Sequence, residues 1–424
     1  MKITRLCAYQ VELPLHDGIY AWSDGKSISA FDSTIVRIET DTGLVGWGES
    51  CPLGPVYLPS FAGGVRAGIA ELGPRLIGED PTQLEYLNRT MDATLKGHPY
   101  VKSGIDIACW DILGKATGMP VCELLGGRYG DDVALYRSVS RDTPEAMAAK
   151  LKGFRAQGYR KFQLKVGGDI EEDIQRIRAC SAETEPGDTL IADANTGWLM
   201  TEAAKIVRAV GDLDVTIEQP CQTYEECLVI RRRTDLPFVL DECMENLGMV
   251  VRGHSDGAMD AINLKISRVG GLTRARQVRD LCVWFGIALT TEDAGGGDVT
   301  NATVAHLAQS TPEKYLLSVT LAGLKVSLAT ADGAPSVKEG RVSASREPGL
   351  GITPIPEVLG DPVVDFYLGK RRPYESVGRV ITPGLLVAGL LARFRSMGSP
   401  CVSGYGIGHC RQENGGDGGS GLNL

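Results

Sequence analysis

Acids and lysines recur in the middle of the chain at intervals of roughly 25 residues, each closing a short β-rich run. The runs end in Gln163-Leu164-Lys165, Asp193-Ala194-Asn195, Ile217-Glu218-Gln219-Pro220, Asp241-Glu242, Asn263-Leu264-Lys265 and Thr291-Glu292-Asp293. A single acid in such a place commonly caps the next helix. Three on successive strand ends would converge, and their mutual repulsion needs a cation to offset it. Oxygen ligands without histidine or thiolate point to Mg²⁺, which keeps open positions for water or substrate. Lys165 and Lys265 close the second and sixth runs and would face each other across that ion. Beside a divalent cation and a second ammonium, the pKa of a lysine is expected to fall, giving a base usable near neutral pH. The chemistry such a set can do is removal of a weakly acidic proton next to a carboxylate, with the metal stabilising the enediolate.

The elements that must position these groups follow from the alternation of short β-rich runs with amphipathic helical stretches. Strands are expected at Ala134–Val139, Lys161–Val166, Thr189–Ala192, Thr216–Glu218, Pro237–Leu240, Ala261–Lys265, Ala288–Thr291 and Leu316–Val319. Eight strands separated by helices suggest a closed parallel barrel, whose catalytic groups sit where strands end. Ahead of it, Ile3–Leu13 and Asp32–Glu39 read as strands, followed by a meander at Gly43–Glu49 and helical pattern from about Gly64 to Leu113. Two loops, Asp17–Lys26 with Tyr20 and Trp22, and Cys51–Tyr57, carry aromatics suited to covering a pocket. Strand-like sequence near Gly340–Ser345 is expected to rejoin the first domain.

The 424 residues suggest about two domains. A net charge of −9, with no basic cluster interleaved with aromatics, argues against a nucleic-acid partner. The 11 scattered cysteines include no CxxC pair and read as reduced thiols. The apolar stretch Leu385 to Ala392 is too short to span a bilayer and the start has no signal core, so a cytoplasmic protein without membrane contact is expected. Beyond about Arg371 the chain turns glycine-rich and reads as a disordered or foreign tail, 371–424.

On its motifs the chain resembles the enolase superfamily, in the two-lysine, muconate-lactonizing branch, over about residues 1–368. The resemblance is carried by Ile105-Asp106-Ile107-Ala108-Cys109-Trp110-Asp111-Ile112-Leu113-Gly114-Lys115, by Gly118-Met119-Pro120 and Leu124-Leu125-Gly126-Gly127, and by Lys265-Ile266-Ser267-Arg268-Val269-Gly270-Gly271, with the strand ends above. It implies an α/β fold: a modified (β/α) TIM-type barrel at 126–334 under an α+β capping domain at 1–125, completed by about 335–368. It implies one Mg²⁺ per subunit held by Asp193, Glu218 and Asp241, with Lys165 and Lys265 as the acid/base pair. Barrels of this resemblance assemble as octamers or dimers, so a homo-oligomer is expected. Two departures matter. The branch has Lys-x-Lys at the second strand, where this chain has Gln163. None of His16, His98, His254, His306 and His409 lies at the seventh strand, so dehydration of sugar acids by a His/Asp dyad is not expected.

Opposed lysines serve racemisation, epimerisation, cycloisomerisation and β-elimination alike. The resemblance is nearest to members acting on proline derivatives. It implies dehydration of cis-3-hydroxy-L-proline to Δ1-pyrroline-2-carboxylate, or 2-epimerisation of hydroxyproline or proline betaine. Dipeptide epimerisation and a non-catalytic homologue are the remoter alternatives. A cyclic amino acid offers a carboxylate to Mg²⁺ and a secondary ammonium that wants an anion, for which Asp293 is the candidate, ahead of Glu292. Quaternary ammoniums prefer an aromatic cage. The eighth strand ends Ser318-Val319-Thr320-Leu321 without an aromatic, leaving Tyr57, Trp22 and Tyr20 of the cap to line the substrate site, which leans toward an unmethylated hydroxyproline.

Overall fold

The computed structural model describes residues 1–369. The glycine-rich tail expected at 371–424 lies outside the described residues. Alternation with a period of two sets the phase of every barrel strand. In Lys161–Lys165, Phe162 and Leu164 are fully buried in the apolar layer beneath the surrounding helices. Lys161, Gln163 and Lys165 therefore project into the barrel. Lys161 Nζ meets Leu317 O at 2.5 Å, Gln163 bonds Glu218, and Lys165 lines the pocket at the strand ends.

Eight parallel strands follow in sequence order: Tyr136–Val139, Lys161–Lys165, Thr189–Asp193, Thr216–Glu218, Phe238–Leu240, Ala261–Lys265, Ala288–Glu292 and Leu316–Val319. Each pairs with its neighbours, but the first and eighth share no ladder, so the barrel is nearly closed. Across that seam run the Lys161–Leu317 bond and one from Thr320 Oγ1 to Tyr136 O at 3.5 Å. The register puts Lys165 level with Asp193 and Asp193 level with Glu218. Glu218 is level with Val239, so Asp241 stands one inward position further along the fifth strand.

A separate antiparallel sheet has the order Val364–Tyr367, Ile3–Pro14, Ala30–Thr40, Val45–Ser50. Helices Ala62–Leu76, Leu84–Thr94 and Pro99–Thr117 pack on it around Ile3, Leu6, Val36, Ile69, Leu72 and Ile105. The last helix touches the sheet so closely that a Cβ on Gly48 would run into the carbonyl of Gly104. That helix carries the motif 105–115, and its two acids act as staples. Asp106 accepts from Thr273 N at 2.9 Å, Thr273 Oγ1 at 2.6 Å and Asn88 Nδ2 at 2.6 Å. Asp111 accepts from Trp47 N at 3.0 Å, Leu350 N at 2.8 Å and Lys115 Nζ at 2.6 Å. The motif's acids thus hold cap to barrel and lie outside the chemistry.

One expectation is overturned here. The strand-like stretch near Gly340–Ser345 does not rejoin the cap. Arg341–Val342 pairs with Val133–Ala134 and Val337–Lys338. It also takes Ala134 out of the expected first barrel strand, which starts at Tyr136. The segment that returns to the cap sheet is Val364–Tyr367, paired antiparallel with Ile3–Pro14. No helix among the described residues is long and apolar enough to cross a membrane.

Candidate active site

All eight predicted site residues lie at or beside the C-terminal mouth of the barrel, where the two aromatic loops of the cap descend. A pocket there is lined by Lys165, Lys265, Asp293, Tyr57 and Trp22, with Glu292, Asn195 and Lys325. Its free space is about 50 Å³. The carboxylates Asp193, Glu218 and Asp241 sit below it, essentially without exposure.

Charged groups meet in direct pairs. Lys165 Nζ bonds Asp193 Oδ2. Lys265 Nζ lies 2.5 Å from Asp241 Oδ2, 2.9 Å from Glu292 Oε1 and 3.0 Å from the Tyr57 hydroxyl. Arg268 Nη1 reaches Asp241 Oδ1 at 2.5 Å and the Asp241 carbonyl at 2.6 Å. Glu218 accepts from two amides, Gln163 and Asn263, each at 2.8 Å. Asn263 also donates to Glu292 Oε1 at 2.9 Å, and the Tyr136 hydroxyl donates to Glu292 Oε2.

These partners decide the titration of each group. Burial alone would lower the Lys165 ammonium, but Asp193, Tyr20 and Glu218 outweigh it and hold its pKa above the usual lysine range. Lys265 is likewise pulled down by burial and pushed well up by Asp241 and Glu292. The acids here neutralise the lysines directly, whereas the expected fall belongs to a site with a divalent cation bound. The fall requires the charge of those acids to be taken up by another cation. Burial and the neighbouring Asp193 and Asp241 push Glu218 well above the carboxylate range. Against the same burial, Arg268 and Lys265 hold Asp241 far below it. Glu242 is pushed up to about 7 by burial and by Asp241 and Asp193.

Among the described residues no three His, Cys, Asp or Glu side chains are grouped closely enough to hold an ion as they stand. Asp193 pairs with Lys165 and Asp241 with Lys265 and Arg268, while Glu218 accepts from the two amides. The donor set still suits a hard cation: three buried carboxylates that repel one another, with the Asn195 Oδ1 and Glu242 Oε2 atoms buried beside them without a hydrogen-bond partner. Backbone strain concentrates at the same strand ends. Asn195, Thr196 and Gln219 adopt left-handed φ values of +42°, +67° and +35°. Gln219 Oε1 accepts from Asp241 N at 2.9 Å, tying the fourth strand end to the fifth.

Asp293 lines the pocket, with Oδ2 bonded to Ser267 N at 3.0 Å and Ser267 Oγ at 2.7 Å and Oδ1 to Ala294 N at 2.8 Å. Burial raises it to about 6, against these donors. Neither Glu292 nor Asp293 caps the next helix, Asp298–Gln309, whose N-cap is Gly297. The aromatic lining is richer than Tyr57, Trp22 and Tyr20, since Phe31 and Tyr136 also face the pocket. Sequence reasoning also missed Arg268, Asn263 and Lys325. Tyr136 and Asn263 could have been found from strand alternation, occupying inward positions with Ser138 and Lys265. Lys325, beyond the eighth strand in a short helical turn, left no such signal.

Comparison with known proteins adds the lineage. Residues 23–126 match the mandelate racemase/muconate lactonizing enzyme N-terminal domain, and residues 146–358 match the enolase C-terminal domain-like family. The chain belongs to the mandelate racemase/muconate lactonizing enzyme family of the enolase superfamily. It is 57% identical over 366 residues to the cis-3-hydroxy-L-proline dehydratase of Roseibium aggregatum, covering 86% of this chain and all of that one. It is 32% identical to the N-succinyl-L-Arg/Lys racemase of Bacillus cereus, over 76% of this chain and 88% of that one. A crystal structure of an enolase-superfamily member from Roseovarius nubinhibens, complexed with magnesium, superposes with a TM-score of 0.83 at 41% identity, covering 87% of this chain and all of that one.

Proposed function

We propose that this chain dehydrates cis-3-hydroxy-L-proline to Δ1-pyrroline-2-carboxylate with Mg²⁺ as cofactor. The observation that carries the reading is the 57% identity over the full length of the Roseibium dehydratase. The two buried lysines, standing on strands two and six with acids between them, support it. Asp193, Glu218 and Asp241 would hold the ion, which supplies Lewis-acid stabilisation of carboxylate charge when bound. The substrate carboxylate is oriented toward these acids. Asp293 meets the ring ammonium, and Tyr57 and Trp22 exclude water from above. Lys165 and Lys265 work from opposite sides: one accepts the C2 proton, and the carbon–oxygen bond at C3 then breaks. Their present pairing with Asp193 and Asp241 keeps both charged, so proton abstraction requires those pairs to part.

The pair also supports a second reading, 2-epimerisation of other proline derivatives. A substrate without a 3-hydroxyl has no leaving group, so the opposite lysine can return a proton to C2. The likeness to a racemase favours it. NMR in D₂O with Mg²⁺ tests both, using cis-3-hydroxy-L-proline, trans-4-hydroxy-L-proline and its betaine, each against EDTA. Conversion of the 3-hydroxy compound to pyrroline carboxylate is expected. Metal-dependent deuterium at C2 of the other two alone would make the protein an epimerase. We further propose a homo-oligomer of subunits binding one Mg²⁺ each.

A further inference from the structure

At the pocket the second strand offers one ammonium, Lys165, rather than two, because Gln163 stands where the branch has lysine and its amide is spent on Glu218. Lys165 nevertheless has a cationic neighbour. Lys325, at the end of the turn Ala322–Lys325, lines the same pocket with its Nζ 3.6 Å from the centroid of the Tyr20 ring. Tyr20 descends from the cap hairpin Tyr20–Ala21/Ser27–Ile28, and its hydroxyl shares a 3.2 Å hydrogen bond with Ser138 Oγ on the first strand. Three elements from two layers thus converge on one phenol that the lysine–carboxylate chemistry does not use.

The second cap tyrosine is occupied differently. The Tyr57 hydroxyl donates to Asp241 at 3.1 Å and receives Lys265 at 3.0 Å, and burial and Asp241 push its pKa well above the ordinary value. Burial acts on Tyr20 in the same direction. There Lys165, Lys325 and Ser138 together outweigh both burial and Asp193, and the phenol becomes more acidic than usual. Of the two, Tyr20 is the better proton donor.

We propose that Tyr20 is the catalytic acid that protonates the departing 3-hydroxyl, with Lys325 as the residue that positions it and Lys265 as the base. This rests on the dehydratase reading. In cis-3-hydroxy-L-proline the hydroxyl and carboxylate share one face of the ring, so the C2–H and C3–O bonds point to opposite faces. Acid and base must then come from opposite sides. Tyr20 flanks Lys165, which leaves Lys265 to take the proton. As the free amine, Lys265 removes the C2 proton, and the bonding pair passes into the conjugated carboxylate. That pair then forms C2=C3 while the C3–O bond breaks with its electrons, and the oxygen leaves as water carrying the Tyr20 proton. The enamine gains a proton at C3 and loses one from nitrogen. Solvent carries the proton on Lys265 back to the Tyr20 phenolate, and the net change is loss of one water.

The test compares leaving groups. Tyr20→Phe should dehydrate cis-3-hydroxy-L-proline roughly 10²–10⁴-fold more slowly, the usual contribution of a positioned acid. It should still exchange C2 deuterium into unreacted substrate. With cis-3-fluoro-L-proline, whose fluoride leaves with little proton assistance, it should stay within a few-fold of wild type, which also serves as the control for folding. Lys325→Met should show the same selectivity between leaving groups at smaller amplitude. Equal losses on hydroxide and fluoride in Tyr20→Phe would overturn the acid. Exchange that survives Lys265→Ala but not Lys165→Ala would overturn the assignment of the base. A wild-type protein that eliminates from neither compound would remove the dehydratase reading itself, before any variant is compared.

Discussion

Replacing Lys265 with alanine tests whether a lysine and a metal ion compete for the same oxygens. The ammonium sits among Asp241 Oδ2 at 2.5 Å, Glu292 Oε1 at 2.9 Å and the Tyr57 hydroxyl at 3.0 Å. After its removal Arg268 still faces Asp241, but Glu292 keeps only the neutral donors Tyr136 and Asn263. Breaking a buried ion pair by deleting one partner costs about 3–5 kcal/mol. Over the 369 described residues, an unfolding entropy of ~2.1 cal/mol/K per residue gives ~0.8 kcal/mol/K, so the Tm in EDTA should fall by roughly 4–6 °C. Saturating Mg²⁺ should restore much of that loss, because the ion takes over the charge of Asp241 and no longer has to displace an ammonium. The variant should therefore be catalytically dead yet gain more Tm from Mg²⁺ than wild type, and bind the ion more tightly. Thermal unfolding across a Mg²⁺ series, with calorimetric titration of the ion, measures both. A Tm deficit that Mg²⁺ leaves unchanged, or weaker binding in the variant, would refute Asp241 as a ligand.

Two further outcomes follow from buried acids. Glu49 accepts from Ser33 Oγ at 2.6 Å, Gly297 N at 2.8 Å, and Thr300 N and Oγ1 at 2.9 Å each, joining the cap sheet to the helix after the seventh strand. In Glu49→Ala the two hydroxyls can turn to other acceptors while the two backbone N–H groups stay unpaired, so at 1–3 kcal/mol per buried group the loss should be about 2–6 kcal/mol, read by urea denaturation. Asp293 has a folded pKa raised to about 6 from 3.8, so the unfolded chain ionises first and stability is lost as pH rises through that window. The loss approaches about 3 kcal/mol. In EDTA, Asp293→Asn should remove this slope between pH 4 and 6, and an unchanged slope would count against the buried carboxyl as its source.

What the sequence carried most clearly was the strand ends, because a period of two combined with a repeat of roughly 25 residues fixes which side chains point inward together. Lys165, Asp193, Glu218 and Lys265 follow from that phase alone. Partner choice was less legible. Residues 341–342 have a strand-like pattern, but the pattern does not say whether the partner is the cap or Val133–Ala134. Titration was illegible for the same reason. The lysines are held charged by contacts with Asp193, Asp241 and Glu292, which alternation places nearby without giving the side-chain rotamers. Lys325 and Tyr20 meet across more than 300 residues of chain, and no local rule joins them.

The cap sheet has its own consequence for how the molecule is made. Ile3–Pro14 is a central strand only because Val364–Tyr367 covers its outer edge, and Phe366 also packs against Gly73. During synthesis one of the first strands to emerge must wait for one of the last described segments, with the whole barrel made in between. Until then it presents an open row of backbone donors and acceptors, the kind of edge that templates aggregation. A chain cut short before residue 364 would retain every lysine and acid at the barrel mouth while the sheet that carries the Tyr20 and Tyr57 loops stayed unfinished. Completion of the cap thus makes assembly of the pocket depend on arrival of the distal strand, a condition that a chain stopped ahead of it cannot meet.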